Sequence, residues 1–280
     1  MDVTHQRDRG AALRALHGGK RILVLPNAWD VASARLIEQA GFPAIATTSA
    51  GVAFALGYPD GERIPRSEMV AAVARIAAGV RIPVTADMEA GYGPRPDDVA
   101  ATVREVIAAG AVGMNLEDGD PVRGGVFALK VAGERVRAAR AAADATGIPF
   151  VLNARTDLFL DQIGEPETRL ERAVERLRAY RAAGADCLFA PGVSDIPTIT
   201  ALVRDAGGLL NILGGAAAPP IPELQRLGVA RVSLGSGPMR ASLGVLRRIT
   251  EELKTAGTYR TVTDGAPNHR ELNQLFDRKP

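Results

Sequence analysis

The chain has 280 residues, 46% hydrophobic and 24% charged, which is enough apolar content for a full core and excludes a disordered segment. Lys+Arg total 34 against 32 Asp+Glu, and the formal net charge of +2 leaves no footprint for nucleic acid or an anionic membrane. One cysteine excludes an intrachain disulfide or a cysteine-based zinc site, and three histidines exclude most His-rich sites, so any metal is expected to be a hard cation held by oxygen.

Short apolar runs alternate with helical patterns along the whole chain. The runs fall at 22–26, 44–48, 84–87, 112–117, 150–155, 187–191, 209–213 and 231–234. The helical patterns fall at 31–40, from 65–66, from 96–98, and at 134–146, 167–183, 196–206, 222–227 and 239–255. Several helices end in the same phrase, Ala40-Gly41, Ala109-Gly110, Ala183-Gly184 and Leu227-Gly228, in which glycine takes the left-handed C′ position cheaply. Eight strand–helix pairs, with strands apolar on both faces, predict an α/β fold of the (β/α)8 TIM-barrel type. An open doubly wound sheet is the alternative, but it rarely needs eight regular units. The barrel is expected over 1–257 and a polar C-terminal extension over 258–280. No apolar run reaches bilayer-spanning length and the N-terminus is too polar for a secretory signal, so a soluble cytoplasmic protein is expected.

Barrel chemistry sits where strands end, so the strand ends carry the candidate site. Trp29 and Asp30 end the first run, where Trp29 would wall a pocket or seal the barrel top. Thr47-Thr48-Ser49-Ala50-Gly51 ends the second, with Asp60 and Glu62 in the loop beyond. Asp87-Met88-Glu89-Ala90-Gly91-Tyr92-Gly93 ends the third, and Leu116-Glu117-Asp118 the fourth. Two unit charges about 4 Å apart repel by roughly 4 kcal/mol at an effective dielectric of 20, so such a cluster needs protons or a cation. Asp87, Glu89 and Glu117 together point to Mg²⁺ or Mn²⁺ keeping several waters. Each acid could instead cap a helix or sit solvated in its loop, which is the stronger reading for Asp118 or Glu62 alone. Asn153-Ala154-Arg155-Thr156-Asp157 ends the fifth run. Arg155 can grip a carboxylate with two parallel bonds, or pair structurally with Asp157 or Glu117. Asn153 and Asn211 could donate to a substrate oxygen or cap their loops. Gly214-Gly215 and Gly235-Ser236-Gly237 are a weak phosphate-loop signal. The three histidines read as solvated or capping residues, and Cys187 as a small inert core residue.

These strand ends, together with Pro26-Asn27-Ala28-Trp29-Asp30, resemble the isocitrate lyase/phosphoenolpyruvate mutase superfamily over nearly the full chain. The resemblance implies a barrel whose last helix is exchanged between subunits, usually in a dimer of dimers. It implies Mg²⁺ near Asp87, with Glu89, Glu117 and Asp60 matching carboxylates that hold the ion directly or through water. It implies that Arg155 binds a substrate carboxylate and that Ser49, Ala50 and Gly51, beside Trp29 and Thr47, hold an α-oxo acid. The lid residues of the better-known branches are missing: 118–127 has no cysteine or histidine, and lacks the lysine, asparagine and serine of the mutase branch. At the end of the sixth run, Phe189-Ala190-Pro191-Gly192 replaces the glutamate of several lyases.

The expected function is therefore a Mg²⁺-dependent carbon–carbon lyase, or a decarboxylase or hydrolase. Its substrate would be a small α-oxo or 2-hydroxy carboxylic acid, di-acids first among them, cleaved through a metal-stabilised enolate. Tyr92, Glu117 or a metal-bound water would move the proton. The alternatives are phosphorus–carbon chemistry on phosphonopyruvate, a non-catalytic α-oxo acid binder, and a sugar-phosphate enzyme resting only on Gly235-Ser236-Gly237.

Overall fold

The computed structural model describes residues 3–277; residues 1–2 of the expected barrel segment and 278–280 of the expected extension lie outside the described residues. Helix α1 (Val3–His17) comes first and has no counterpart in the apolar pattern. Its buried positions, Gln6, Gly10, Leu13 and His17, are spaced for one helix face, but Leu13 alone is a large apolar side chain. Strands β1 (Leu23–Leu25) and β2 (Asn27–Ala28) flank Pro26, which has no N–H to give to a ladder. The strand–helix series continues with α2 (Val31–Gln39), β3 (Ile45–Thr47), α3 (Ser49–Ala55), α4 (Arg66–Gly79), β4 (Val84–Asp87) and α5 (Pro96–Ala108). Next come β5 (Gly113–Glu117), α6 (Leu129–Asp144), β6 (Val151–Arg155), α7 (Pro166–Ala182), β7 (Cys187–Phe189) and α8 (Ile196–Asp205). The barrel ends with β8 (Leu209–Leu213), α9 (Ile221–Arg226), β9 (Arg231–Ser233) and α10 (Gly237–Thr255).

All neighbouring strands are parallel, in the order β1-β9-β8-β7-β6-β5-β4-β3-β2. Because β1 and β2 are one strand interrupted at Pro26, β1 on β9 and β2 on β3 close the ring, giving the eight-unit barrel. Three local details differ from the sequence pattern. Helix α6 starts at Leu129, earlier than expected, because Ala128 offers no side-chain cap to signal it. Strand β7 stops at Phe189, just short of Pro191, a residue that cannot donate to a ladder. The polar run after β3 is the short helix α3, capped by Thr48, whose Oγ1 accepts from the Gly51 N–H at 3.2 Å.

Helix α1 closes the bottom of the barrel. Gln6 Nε2 donates to the carbonyls of Ile107 (2.6 Å) and Ala111 (3.2 Å), and Arg14 Nη2 to that of Phe150 (3.1 Å). Gly10 permits this approach, since a Cβ there would stand 2.0 Å from the Pro149 carbonyl oxygen. His17 is buried rather than solvated: Nδ1 donates to the Leu13 carbonyl at 2.8 Å and Nε2 is buried without a partner. Beyond the barrel, α10 buries only Met239 and leaves Leu243, Leu246 and Leu253 exposed. The extension forms α11 (Arg260–Thr263) and α12 (His269–Asp277). Arg35 on α2 holds α12 by donating to the carbonyls of Leu275 (2.8 Å) and Phe276 (3.2 Å). No described helix is long and apolar enough to cross a membrane.

Burial, reinforced by the nearby Arg231 charge, lowers the His17 pKa from 6.5 to about 4. The unfolded chain therefore binds a proton that the folded chain refuses, and stability present above pH 6.5 is lost as pH falls towards 4. Shifting a group by this much is worth roughly 3 kcal/mol. His17→Gln should flatten the decline in urea-unfolding free energy between pH 6.5 and 4; an unchanged slope would remove His17 from the acid response.

Candidate active site

A cavity of about 330 Å³ opens at the carboxyl ends of the strands. Ser49, Glu89, Glu117 and Arg155 line it, together with the 60–62 segment, the 119–125 turn and residues Asp157, Leu160 and Asp161. Asp87 ends β4 beneath it and is held on several sides. Its N–H donates to Thr47 Oγ1 at 2.8 Å, and its Oδ2 accepts from the Ser49 N–H (3.0 Å) and Oγ (2.9 Å). Its Oδ1 receives only a long bond from Asn115 Nδ2, at 3.4 Å. The β4–β5 register sets Asp87 beside Asn115, and the β5–β6 register sets Glu117 beside Arg155.

The acidic turn after β4 and the loop between α3 and α4 that meets it are strained. Glu62, Glu89 and Tyr92 have φ of 56°, 51° and 60°, the left-handed region that side chains other than glycine rarely adopt. A reciprocal clasp holds them: the Glu62 N–H donates to Glu89 Oε2 at 2.5 Å, and the Tyr92 N–H to Glu62 Oε1 at 2.7 Å. The Glu117 N–H donates to the Glu89 carbonyl at 2.9 Å. Buried Arg135 fastens the far side, donating to the carbonyls of Gly93 (2.6 Å) and Ala90.

Arg155 is paired with both candidate partners, donating from Nε to Asp157 Oδ1 at 2.6 Å and from Nη1 to Glu117 Oε1. Nη2 makes no hydrogen bond to any described residue. Burial opposes the Arg155 charge, but Glu117, Asp157 and Asp87 hold its pKa above the usual arginine range. Burial pushes Glu117 well up despite Arg155, and Asp157 up to about 6. Burial, with the charges of Asp60, Asp87 and Glu62, pushes Glu89 up to about 8. Asp60 and Glu62 are raised by burial too, and Tyr92 is raised by burial and then by the surrounding carboxylates.

These residues fit a hard, hydrated cation. Glu89 is only 4% exposed and its Oε1 has no partner, so a buried carboxylate oxygen lacks the donor or cation it needs. Among the described residues no three His, Cys, Asp or Glu side chains stand close enough together to hold a metal ion by themselves. The arrangement therefore suits an ion that keeps several waters, with some carboxylates reached through them.

Other candidate residues lie elsewhere. Trp29 walls a separate groove with Val52, Leu56 and Ile76, on the other side of α3. Ala50 and Gly51 sit inside α3 without lining the acidic cavity, and the Gly51 N–H is committed to Thr48. Asn153 and Asn211 are fully buried inside the barrel, bonded to Asn115 Oδ1 (2.7 Å) and Ser233 Oγ (3.1 Å). Asp118 is structural: Oδ2 accepts from Arg176 Nε at 2.6 Å and from Tyr180 OH at 2.5 Å, and Oδ1 from the Asp157 N–H at 2.9 Å. Tyr92 OH is buried without a partner. Glu62, Asp157 and Asp161 enter the cavity without a strong sequence signal, each being one acid near another candidate.

A parallel eight-unit barrel with acids and an arginine gathered at the carboxyl ends of its strands has the layout of a barrel enzyme. The chain belongs to the phosphoenolpyruvate phosphomutase family, whose model matches residues 13–254, and so to the isocitrate lyase/phosphoenolpyruvate mutase superfamily. It is 32% identical over 246 residues to an oxaloacetate decarboxylase of Rhodopseudomonas palustris, covering 84% of this chain and 81% of that protein. A crystal structure described as a lyase/mutase from Burkholderia cenocepacia J2315 superposes with a TM-score of 0.91 at 39% identity, covering 98% of both chains. A phosphonopyruvate hydrolase solved with oxalate and Mg²⁺ gives a TM-score of 0.82 at 26% identity, covering 95% of this chain and 94% of that one.

The Asp118–Arg176 pair is buried on both sides. Arg176→Met should cost about 3–5 kcal/mol in urea unfolding, because Asp118 is left as an uncompensated buried charge. Adding Asp118→Leu should recover part of it; a single-variant loss below about 1 kcal/mol would mean the pair is effectively solvated.

Proposed function

We propose that this protein is a Mg²⁺- or Mn²⁺-dependent carbon–carbon lyase, or a decarboxylase or hydrolase, acting on a small α-oxo or 2-hydroxy carboxylic acid through an enolate. The observation that carries the reading is Arg155, set by Glu117 and Asp157 with Nη2 free, beside Asp87 held by Thr47 and Ser49. Arg155 takes the substrate carboxylate and fixes the bond to be broken relative to the acids. A cation bound near Asp87, with Glu89, Glu117 and Asp60 reached directly or through water, supplies charge stabilisation to the substrate oxygen. Ser49 and Thr47 keep Asp87 oriented for it. Glu117, whose buried carboxyl favours the protonated form, delivers a proton to C3 after cleavage. The Tyr92 hydroxyl stays protonated but is buried and does not line the cavity, so the proton falls to Glu117. The names of the R. palustris relative and of the oxalate- and Mg²⁺-bound hydrolase support this substrate class and this ion. Phosphorus–carbon cleavage is the second reading and rests on the phosphomutase family match.

The exposed Leu243, Leu246 and Leu253 of α10 support exchange of this helix between subunits in a dimer of dimers. Light scattering should give four times the 29.4 kDa chain mass, and Leu246→Asp should lower it. A wild-type monomer would overturn the assembly.

With Mg²⁺, a panel of mono- and dicarboxylic α-oxo and 2-hydroxy acids should yield a smaller oxo acid or aldehyde. Release of inorganic phosphate from phosphonopyruvate would favour the second reading. Binding without turnover of any acid would mark a non-catalytic binder. Asp87→Ala should abolish Mn²⁺ binding measured by electron paramagnetic resonance. Arg155→Lys should keep Mn²⁺ binding but weaken carboxylate affinity about tenfold or more. Unchanged values in both variants would sink the assignment.

A further inference from the structure

We propose that Asp157 is the base of the reaction: its unbonded carboxylate oxygen takes the proton from the C2 hydroxyl of a 2-hydroxy acid as the C2–C3 bond breaks. This rests on the site reading above and assigns the proton acceptor that it leaves open. Asp157 follows β6 and lines the cavity with Arg155 and Glu117. Its Oδ1 accepts from Arg155 Nε at 2.6 Å, whereas its Oδ2 makes no hydrogen bond to any described residue. The backbone here is fixed: the Asp157 N–H donates to Asp118 Oδ1 at 2.9 Å, and its carbonyl accepts from the Asp161 N–H at 3.0 Å.

A guanidinium is planar, and Nη2 shares one edge with Nε and the other with Nη1. Asp157 sits on Nε and Glu117 on Nη1, so a ligand carboxylate on Nη2 has one acid on either side of it. Gly119 keeps the Asp157 side open, because a Cβ there would stand 3.1 Å from Asp157 Oδ2. The other acids lining the cavity have different ties. Asp60, Glu89 and Glu117 are placed at the proposed cation. Glu62 Oε1 accepts from the Tyr92 N–H, and Asp120 Oδ1 from the Val122 and Arg123 N–H groups. Asp161 is exposed, where water stabilises a carboxylate and leaves it a weak base. Among the described residues no histidine or cysteine lines this space.

The step balances without a co-reactant. Asp157 Oδ2 takes the hydroxyl proton, and the oxygen's electron pair forms the C2=O bond. The C2–C3 pair passes to C3 and the carbonyl group it bears, as an enolate. Glu117 then protonates C3, and solvent carries the proton from Asp157 back to Glu117. The products are a 2-oxo acid and the acid that contains C3. Burial raises Asp157 to about 6 against the pull of Arg155, with Asp118 and Asp161 adding to the rise. Such a group is ionised at neutral pH and more basic than a solvated carboxylate.

The test compares the wild type with Asp157→Asn in Mg²⁺, a change that keeps an acceptor for Arg155 Nε but removes the proton-accepting oxygen. Oxalate affinity is read by calorimetry. Cleavage of the 2-hydroxy acids malate, citramalate and isocitrate is read by release of a 2-oxo acid. The wild type should cleave at least one of them, with kcat/KM falling below pH about 6 as Asp157 gains its proton. Asp157→Asn should lower kcat for that acid by about 10²–10⁴-fold and lose the acid limb of the profile. Its oxalate affinity should stay within about threefold of wild type. Gly119→Ala should also lower kcat with oxalate affinity kept, and it decides the matter with the wild-type profile if Asp157→Asn does not fold. A kcat in Asp157→Asn within about threefold of wild type, or an acid limb that persists there, would overturn the proposal. Loss of oxalate affinity in step with kcat would also overturn it, leaving Asp157 only as the residue that sets Arg155. If the wild type binds oxalate but cleaves none of these acids, the proposal falls and the site reading stands. If oxalate does not bind in Mg²⁺, the site reading falls with it.

Discussion

Repulsion among carboxylates crowded round one arginine governs the working end of this molecule. Arg155 faces Glu117 and Asp157 directly, and Asp87 from farther off. One positive charge cannot satisfy them all: burial first, and the neighbouring carboxylates after it, push Glu89 up to about 8 and Glu117 well above its ordinary range. A hydrated divalent cation held among these acids would offset part of that negative charge.

Holding such a site together requires rigidity elsewhere, and buried arginines supply much of it. Arg135 ties the strained acidic turn through two backbone carbonyls, and Arg176 joins α7 to Asp118 at the end of β5. The guanidinium fork suits these tasks because it can serve two acceptors from one fixed plane. Arg231 is fully buried inside the barrel with only a long bond to Asn115 Oδ1, at 3.4 Å. Burial first, and the Arg231 charge after it, keep His17 neutral. The left-handed backbone at Glu62, Glu89 and Tyr92 persists because the clasp between the two loops over-determines it.

Much of the architecture was legible from residue order. Apolar runs marked every strand except β2, which lies just past the first run, and glycines such as Gly110 and Gly184, with φ of 94° and 109°, marked helix ends. Helix α1 was not legible, because it packs through Gln6, Gly10 and His17 and lacks an apolar stripe. The candidate site was legible where an acid or arginine ended a strand, as with Asp87, Glu117 and Arg155. Trp29, Asn153 and Asn211 looked equivalent in the sequence, yet they face a separate groove and the barrel interior. A strand-end position specifies a height in the barrel, whereas the side chain's neighbours depend on twist and stagger.

The sequence by itself determined the barrel and which strand ends carry acids and an arginine. Periodicity, helix stops and residue type are local properties that survive without coordinates. Only the tertiary structure decided how the charges are divided. Asp118 went to Arg176, 58 residues away, while Glu117 went to Arg155, 38 residues away. Two adjacent acids thus acquired opposite roles, one buried as a structural anchor and one placed in the cavity. The parallel register and the alternation of side chains across a strand made that choice, and neither leaves a mark in the local sequence.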